Sequence, residues 1–155
     1  VSLEADIACL ERVPLLRLLG HEALRVLAIG AENRSVDEGE VLFYAGDRSD
    51  CGYVVQEGSF RLQPNGMLND PGITAVPGEL LGELALIAET TRPATAIACE
   101  PSAVIRISRS LFLKTLQSFP EAAMKLRDRL AQRVAQATKD LENIRARLDA
   151  SDPAR

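Results

Sequence analysis

The hydrophobic pattern changes period twice along the chain. Over residues 1–34 apolar positions recur at helical spacing. Ile7, Leu10 and Val13 share one side of a stretch that Ser2 can cap and Pro14 ends. Leu24, Leu27 and Ala28 form the stripe of a second helix, from about His21 to Ile29, with Gly30 as its stop. A Leu-rich connector, Leu15 to Leu19, lies between them.

From Ser35 to Ser108 the apolar runs become short and β-prone: Val41 to Tyr44, Tyr53 to Val55, Phe60 to Leu62, Ile73 to Val76, Thr95 to Ala98 and Val104 to Ile107. Turn residues separate them at Asp37-Glu38-Gly39, Gly46-Asp47, Glu57-Gly58, Pro64-Asn65-Gly66, Asp70-Pro71-Gly72 and Pro77-Gly78. Strands at this spacing predict an antiparallel sandwich, jelly roll or barrel.

The helical period returns over residues 109–149. Leu111, Phe112, Leu116 and Phe119 mark a short amphipathic helix, and Pro120 closes it while opening the next. That last helix runs from about Glu121 to Leu148. Written as heptads, it places Ala123, Leu130, Ala137 and Ile144 at d and Val134, Leu141 and Leu148 at a, with Arg127 the one interruption. In a parallel dimer Asp140 would face the partner's Arg145. A helix lying across its own domain explains the first half equally well. Residues 141–148 sit about 30 Å from the helix start at 1.5 Å per residue, where a small domain has little surface to offer, so a homodimer is expected.

Composition narrows the chemistry. The 155 residues suit one domain, with 46% apolar and 26% charged residues and no Trp. A net charge of −4 argues against a broad nucleic-acid face, and acids interspersed along the basic last helix suggest a solvated surface. One histidine, His21, excludes sites built on several imidazoles and leaves no base for a nucleophilic triad, so neither a metal nor catalysis is expected. Cys9, Cys51 and Cys99 form no CxxC pair and read as buried apolar residues in a reducing, cytoplasmic setting. Tyr44 and Tyr53 read as packing residues. No run is apolar enough for a membrane span or a signal peptide.

The informative stretch is residues 78–95. Between Leu62 and Ile105 the only Lys or Arg is Arg92, set among five acids. Gly82 permits a tight turn, and Glu83-Leu84-Ala85-Leu86 can form one helical turn whose free amides attract an anion. Arg92 follows after a loop long enough to fold back and grip the same anion. Glu83 repels a phosphate and suits sugar hydroxyls instead. A carboxylate for hydroxyls, a guanidinium for a phosphodiester and apolar strands for a base together describe a nucleotide site.

These residues resemble the cyclic nucleotide-binding domains of protein kinase A regulatory subunits, gated channels and the catabolite activator group. Gly82-Glu83-Leu84-Ala85-Leu86, with Arg92 nine residues after Glu83, looks like the family's phosphate-binding cassette. Glu38 to Phe43, Gly46-Asp47 and Glu57-Gly58 look like its strand and turn signature. The resemblance implies an eight-stranded antiparallel β-roll with an N-terminal helical segment and two C-terminal helices. It also implies that Glu83 accepts from the ribose 2′-hydroxyl, that Arg92 and the Leu84 and Ala85 amides hold the cyclic phosphate, and that residues 93 and 94 flank it. Along the last helix Ala137 and Thr138 fall where the catabolite activator group contacts the base, and Thr138 keeps a hydroxyl.

One position departs from the family. Pro93 stands where Ser, Ala or Thr is usual and has no N–H to donate. Losing one donor to a charged acceptor costs about 1.5–3 kcal/mol, or roughly ten- to a hundredfold in affinity. The missing hydroxyl favours cAMP over cGMP. The catabolite activator group continues past Asp149 into a DNA-binding domain, whereas six residues remain here, so the expectation is a sensor that acts on a downstream protein rather than on DNA. The alternative is a ligand-free scaffold in which Arg92 pairs with an acid and only the dimer matters.

Overall fold

The structure, a computed structural model, describes residues 2–64 and 72–150. Three helices lead: α1 (Leu3–Glu11), α2 (Pro14–Arg17) and α3 (His21–Gly30). Ser2 caps α1, its Oγ accepting from the Ala5 amide at 3.1 Å. Pro14 does more than end a helix. It opens α2 at the first position, where a missing N–H costs nothing, so part of the expected connector is helical. Gly30 is the last residue of α3 rather than its stop, and its bare Cα makes room for a neighbour: a Cβ there would lie 2.7 Å from Leu111 Cδ1.

Among the described residues ten short strands follow: β1 (Glu32–Val36), β2 (Val41–Phe43), β3 (Arg48–Ser49), β4 (Cys51–Glu57), β5 (Phe60–Pro64), β6 (Ile73–Ala75), β7 (Leu80–Leu81), β8 (Thr90–Thr91), β9 (Ala94–Ala98) and β10 (Ser102–Ser108). Eight of them make two four-stranded antiparallel sheets, in the orders β1-β10-β4-β7 and β2-β9-β5-β6. The remaining two, β3 and β8, pair as a separate ribbon. This is the expected mainly β roll flanked by helices. The segment read as wholly helical up to residue 34 ends earlier, because β1 starts at Glu32. Its polar run is exposed along the edge of the sheet, with only Val36 buried. The turns expected at Asn65-Gly66 and Asp70-Pro71 lie outside the described residues.

Strands β4 and β10 explain why one sheet occupies the middle of the molecule. Along β4, Val54 packs into the helical core with Leu10, Leu24, Leu27 and Phe112, while Tyr53 and Val55 pack into the core between the sheets with Phe60 and Ala96. Along β10, Ile105 and Ile107 join the first core and Val104 the second. Alternate residues are thus apolar for different partners, and the strands read as nearly continuous hydrophobic runs.

Two helices close the described chain, α4 (Arg109–Ser118) and α5 (Pro120–Ala150). Ser108 caps α4, accepting from the Leu111 amide at 3.1 Å. Helix α5 has two regimes. Ala122 and Leu126 are buried and Leu130 packs on the same core, whereas every residue from 131 to 150 is exposed. The outer half of the heptad seam, Val134, Ala137, Leu141, Ile144 and Leu148, is therefore exposed in the single chain.

Two packing expectations are corrected. Cys9 and Cys51 are buried as expected, but Cys99 is exposed because it follows β9 into a turn. Tyr53 is buried, whereas Tyr44 lies beyond the end of β2 and is exposed. His21 is at the surface, its Nδ1 3.1 Å from Glu11 Oε1. Among the described residues no helix is long and apolar enough to cross a membrane, and no cluster of His, Cys, Asp and Glu could hold a metal.

Candidate functional site

A cleft of about 710 Å³ opens between the segment 80–94 and α5. That is within the usual range for small-molecule sites. Gly82, Glu83, Leu84, Ala85, Arg92, Pro93 and Ala94 all line it, so the structure brings seven of the eight expected site residues together. Thr138 is not among the lining residues. It is exposed on α5, and the helix turns Leu130, Arg133, Val134 and Ala137 toward the cleft instead.

Each half of the site has a local cause. Gly82 sits at φ 85° and ψ 41°, a left-handed conformation that disfavours a Cβ, and the chain turns from β7 directly into a single 3₁₀ turn, Glu83–Leu86. The Ala85 amide closes that turn on the Gly82 carbonyl at 3.0 Å. It is therefore already committed, and the amides left without an intrahelical acceptor by helix geometry are those of Glu83 and Leu84. On the other side, the β3–β8 ribbon delivers Arg92. Its amide donates to the Asp47 carbonyl at 2.8 Å, and its carbonyl accepts from the Gly46 amide at 2.8 Å.

Arg92 is 5% exposed. Its Nη2 donates to the Cys51 carbonyl at 2.8 Å and lies 3.3 Å from Cys51 Sγ. Its guanidinium carbon stands 4.4 Å over the Phe43 ring and 5.5 Å from the Tyr53 ring centre. Those two rings are themselves stacked, with centroids 6.0 Å apart. Cation–π attraction and one carbonyl offset part of the cost of burying the charge. They leave one donor over. Nη1 is buried with no hydrogen-bond partner, the single such side-chain atom among the described residues. An unmet buried donor costs about 1–3 kcal/mol, more on a charged group. Gly82 lies directly against it, since a Cβ on Gly82 would collide with Nη1. The guanidinium and the turn thus form one pocket wall, and no carboxylate is bonded to Arg92 among the described residues.

Glu83 is held differently. Its carboxylate meets the guanidinium of Arg133 from α5. Sequence reasoning missed Arg133, grouping it with the solvated charges of the last helix, although it lies three residues after Leu130 and four before Ala137, both of which line the cleft. Phe43 and Cys51, which hold Arg92, were also missed, because only the sheet pairing brings them near it. Burial pushes the Tyr53 phenol above its ordinary range, and its contact with Cys51 adds to the shift. The wall beneath Arg92 is accordingly neutral as well as aromatic.

The cyclic nucleotide-binding domain model matches residues 33–119, more than half of the chain. The chain belongs to the cyclic nucleotide-binding domain family. It is 30% identical over 131 residues to the cyclic AMP receptor protein of Thermus thermophilus, covering 83% of this chain but only 61% of that protein. Among solved structures it resembles a cyclic nucleotide-binding-like protein from Brucella abortus, with 41% identity, a TM-score of 0.64, and coverage of 72% of this chain and 97% of that one. It also resembles the N-terminal domain of a transcriptional regulator from Streptomyces coelicolor, with 28% identity, a TM-score of 0.77, and coverage of 86% and 94%.

Proposed function

We propose that this chain is a cytoplasmic regulatory module that binds a cyclic nucleotide, cAMP in preference to cGMP, and works as a homodimer rather than as an enzyme. The observation that carries the binding reading is the unmet Nη1 of Arg92 at the cleft wall formed with Gly82. A buried cation with a spare donor, beside amides at the start of a helical turn, is a seat for one anion. The cyclic phosphate completes the hydrogen bonding of Arg92 and takes the Leu84 amide. Glu83, steadied by Arg133, accepts from the ribose hydroxyl. The base lies on the apolar wall of Leu62, Leu80, Val134 and Ala137. Pro93 and Ala94 offer the phosphate side no hydroxyl, which supports cAMP.

The dimer reading is supported by α5. Leu141, Ile144 and Leu148 are 67%, 52% and 66% exposed in the single chain, on one heptad seam beyond the body of the domain. Occupancy of the cleft would reach α5 through Leu130, Arg133 and Val134 and pass from there to a downstream protein.

A thermal-shift series with cAMP, cGMP and 5′-AMP tests the binding reading. The expected order of stabilisation is cAMP, then cGMP, with 5′-AMP without effect. No shift with either cyclic nucleotide at millimolar concentration, with self-association intact, would replace this reading by a ligand-free dimerisation scaffold.

A further inference from the structure

Arg92 is buried without an acid bonded to it among the described residues, so something else has to hold the charge in the wall. The ring of Phe43 lies 4.4 Å from its guanidinium carbon. The attraction is to the negative face of the ring, which offers no lone pair. An aromatic ring therefore steadies the cation and supplies no conventional hydrogen-bond acceptor, and Nη1 stays unmet. A carboxylate in the same place would accept from the guanidinium fork and compete with an incoming anion.

The position of the ring has a local cause. Strand β2 pairs with β9 at Val41–Ile97 and next at Phe43–Ala96, so two residues of β2 advance against one of β9. A bulge of this kind re-aims the side chain beside it. In an unbroken ladder Phe43 would stand opposite Thr95, but it stands opposite the small Ala96. The ring then stacks on Tyr53, at 6.0 Å between centroids and 23° between planes. Tyr53 belongs to β4 in the other sheet, so both sheets contribute to the shelf against Arg92. Phe43 lines the cleft and Tyr53 does not, which places Phe43 beside both the cation and the ligand space.

We propose that Phe43 is a positioning residue for the anion: the face of its ring holds the Arg92 guanidinium in the wall and leaves Nη1 unspent for the ligand. This rests on reading the cleft as a ligand site. It accounts for a cation that is at once fixed and under-bonded.

Fluorination of the ring tests this, because each fluorine weakens the negative face while changing the size of the ring little. Mono-, di- and trifluorophenylalanine are introduced at position 43 of the full chain, with and without Arg92→Gln. The first readout is the melting temperature without ligand. With Arg92 present it should fall at each step, by about 2–4 °C at the third fluorine, and with Arg92→Gln it should stay level or rise. Equal slopes in the two backgrounds would overturn the proposal. If Arg92→Gln does not fold, Arg92→Leu serves as the neutral background.

The second readout is the dissociation constant of cAMP by titration calorimetry, with Arg92 present. It should rise stepwise, to about tenfold at the third fluorine. An unchanged constant would make the ring a space-filler. A falling constant would mean that Phe43 touches the phosphate itself, since an electron-poor ring attracts an anion. Either result overturns the proposal. A wild type with no calorimetric response to cAMP would defeat the nucleotide reading, while the melting series would still decide whether the Phe43 ring holds Arg92.

Discussion

The Glu83 carboxylate, on the turn that faces the cleft, is bonded to Arg133 from the middle of α5, fifty residues further along the chain. The two side chains are 29% and 56% exposed, so the pair contributes only about 0.2–1 kcal/mol to folding. Its consequence is geometric. It keeps the carboxylate at the cleft and joins α5 to the turn. Arg133→Ala is expected to lower the melting temperature by no more than about 4 °C, since 1 kcal/mol moves a domain of this size by roughly 2–4 °C. The same variant should weaken cAMP binding about tenfold by titration calorimetry, as expected for a lost hydrogen bond to a charged group. Unchanged affinity would show that Glu83 needs no support from α5.

Pro93 gives a prediction in the opposite direction. It lines the cleft directly after Arg92 and has no amide hydrogen. Pro93→Ala restores the donor and should tighten cAMP binding by roughly tenfold or more. Calorimetry on the two proteins decides it. An equal or weaker Kd would mean that the anion does not sit beside residue 93.

The outer half of α5 predicts a self-association that does not depend on the cleft. Leu141→Asp places a charge on the exposed seam, at a residue that is 67% exposed and lies outside the cores. Sedimentation velocity should show the wild type as a dimer and Leu141→Asp as a monomer, with the same melting transition in dilute samples. A wild type that is monomeric at 100-fold higher concentration would remove the dimer from the account.

Thiol chemistry checks the packing. Cys99 is exposed, Cys51 lies beneath Arg92, and burial raises the Cys9 thiol above its ordinary range. One thiol per chain should therefore react within minutes with a chromogenic disulfide at pH 8, and it should disappear in Cys99→Ser. Cys9 and Cys51 should react only as the protein unfolds. Rapid reaction of all three would contradict the core as described.

Much of the fold is legible in the sequence because its elements carry their own periods. The helical stripes, the nearly continuous apolar runs of β4 and β10, which are covered on both faces, and the turn at Gly82 are local signals. Arg92 stands out because it is the only cation in 44 residues. What stays hidden depends on pairing. Strand β1 is polar except at Val36 and has no alternation to detect, and β7 and β8 are two residues each, too short for a period. The partners of Arg92 come from β2 and β4, and Arg133 reaches the site from a helix far along the chain. Thr138, expected from the resemblance, is exposed on α5 and does not line the cleft of the single chain.

The central claim is that the spare donor of Arg92 is the seat of a cyclic phosphate. Titration calorimetry of cAMP against the wild type and Arg92→Gln, each first shown folded by circular dichroism, tests it most directly. The account predicts saturable one-to-one binding per chain in the wild type and at least a hundredfold loss in Arg92→Gln. Binding of equal strength in both proteins, or none in the wild type at millimolar cAMP, would contradict it.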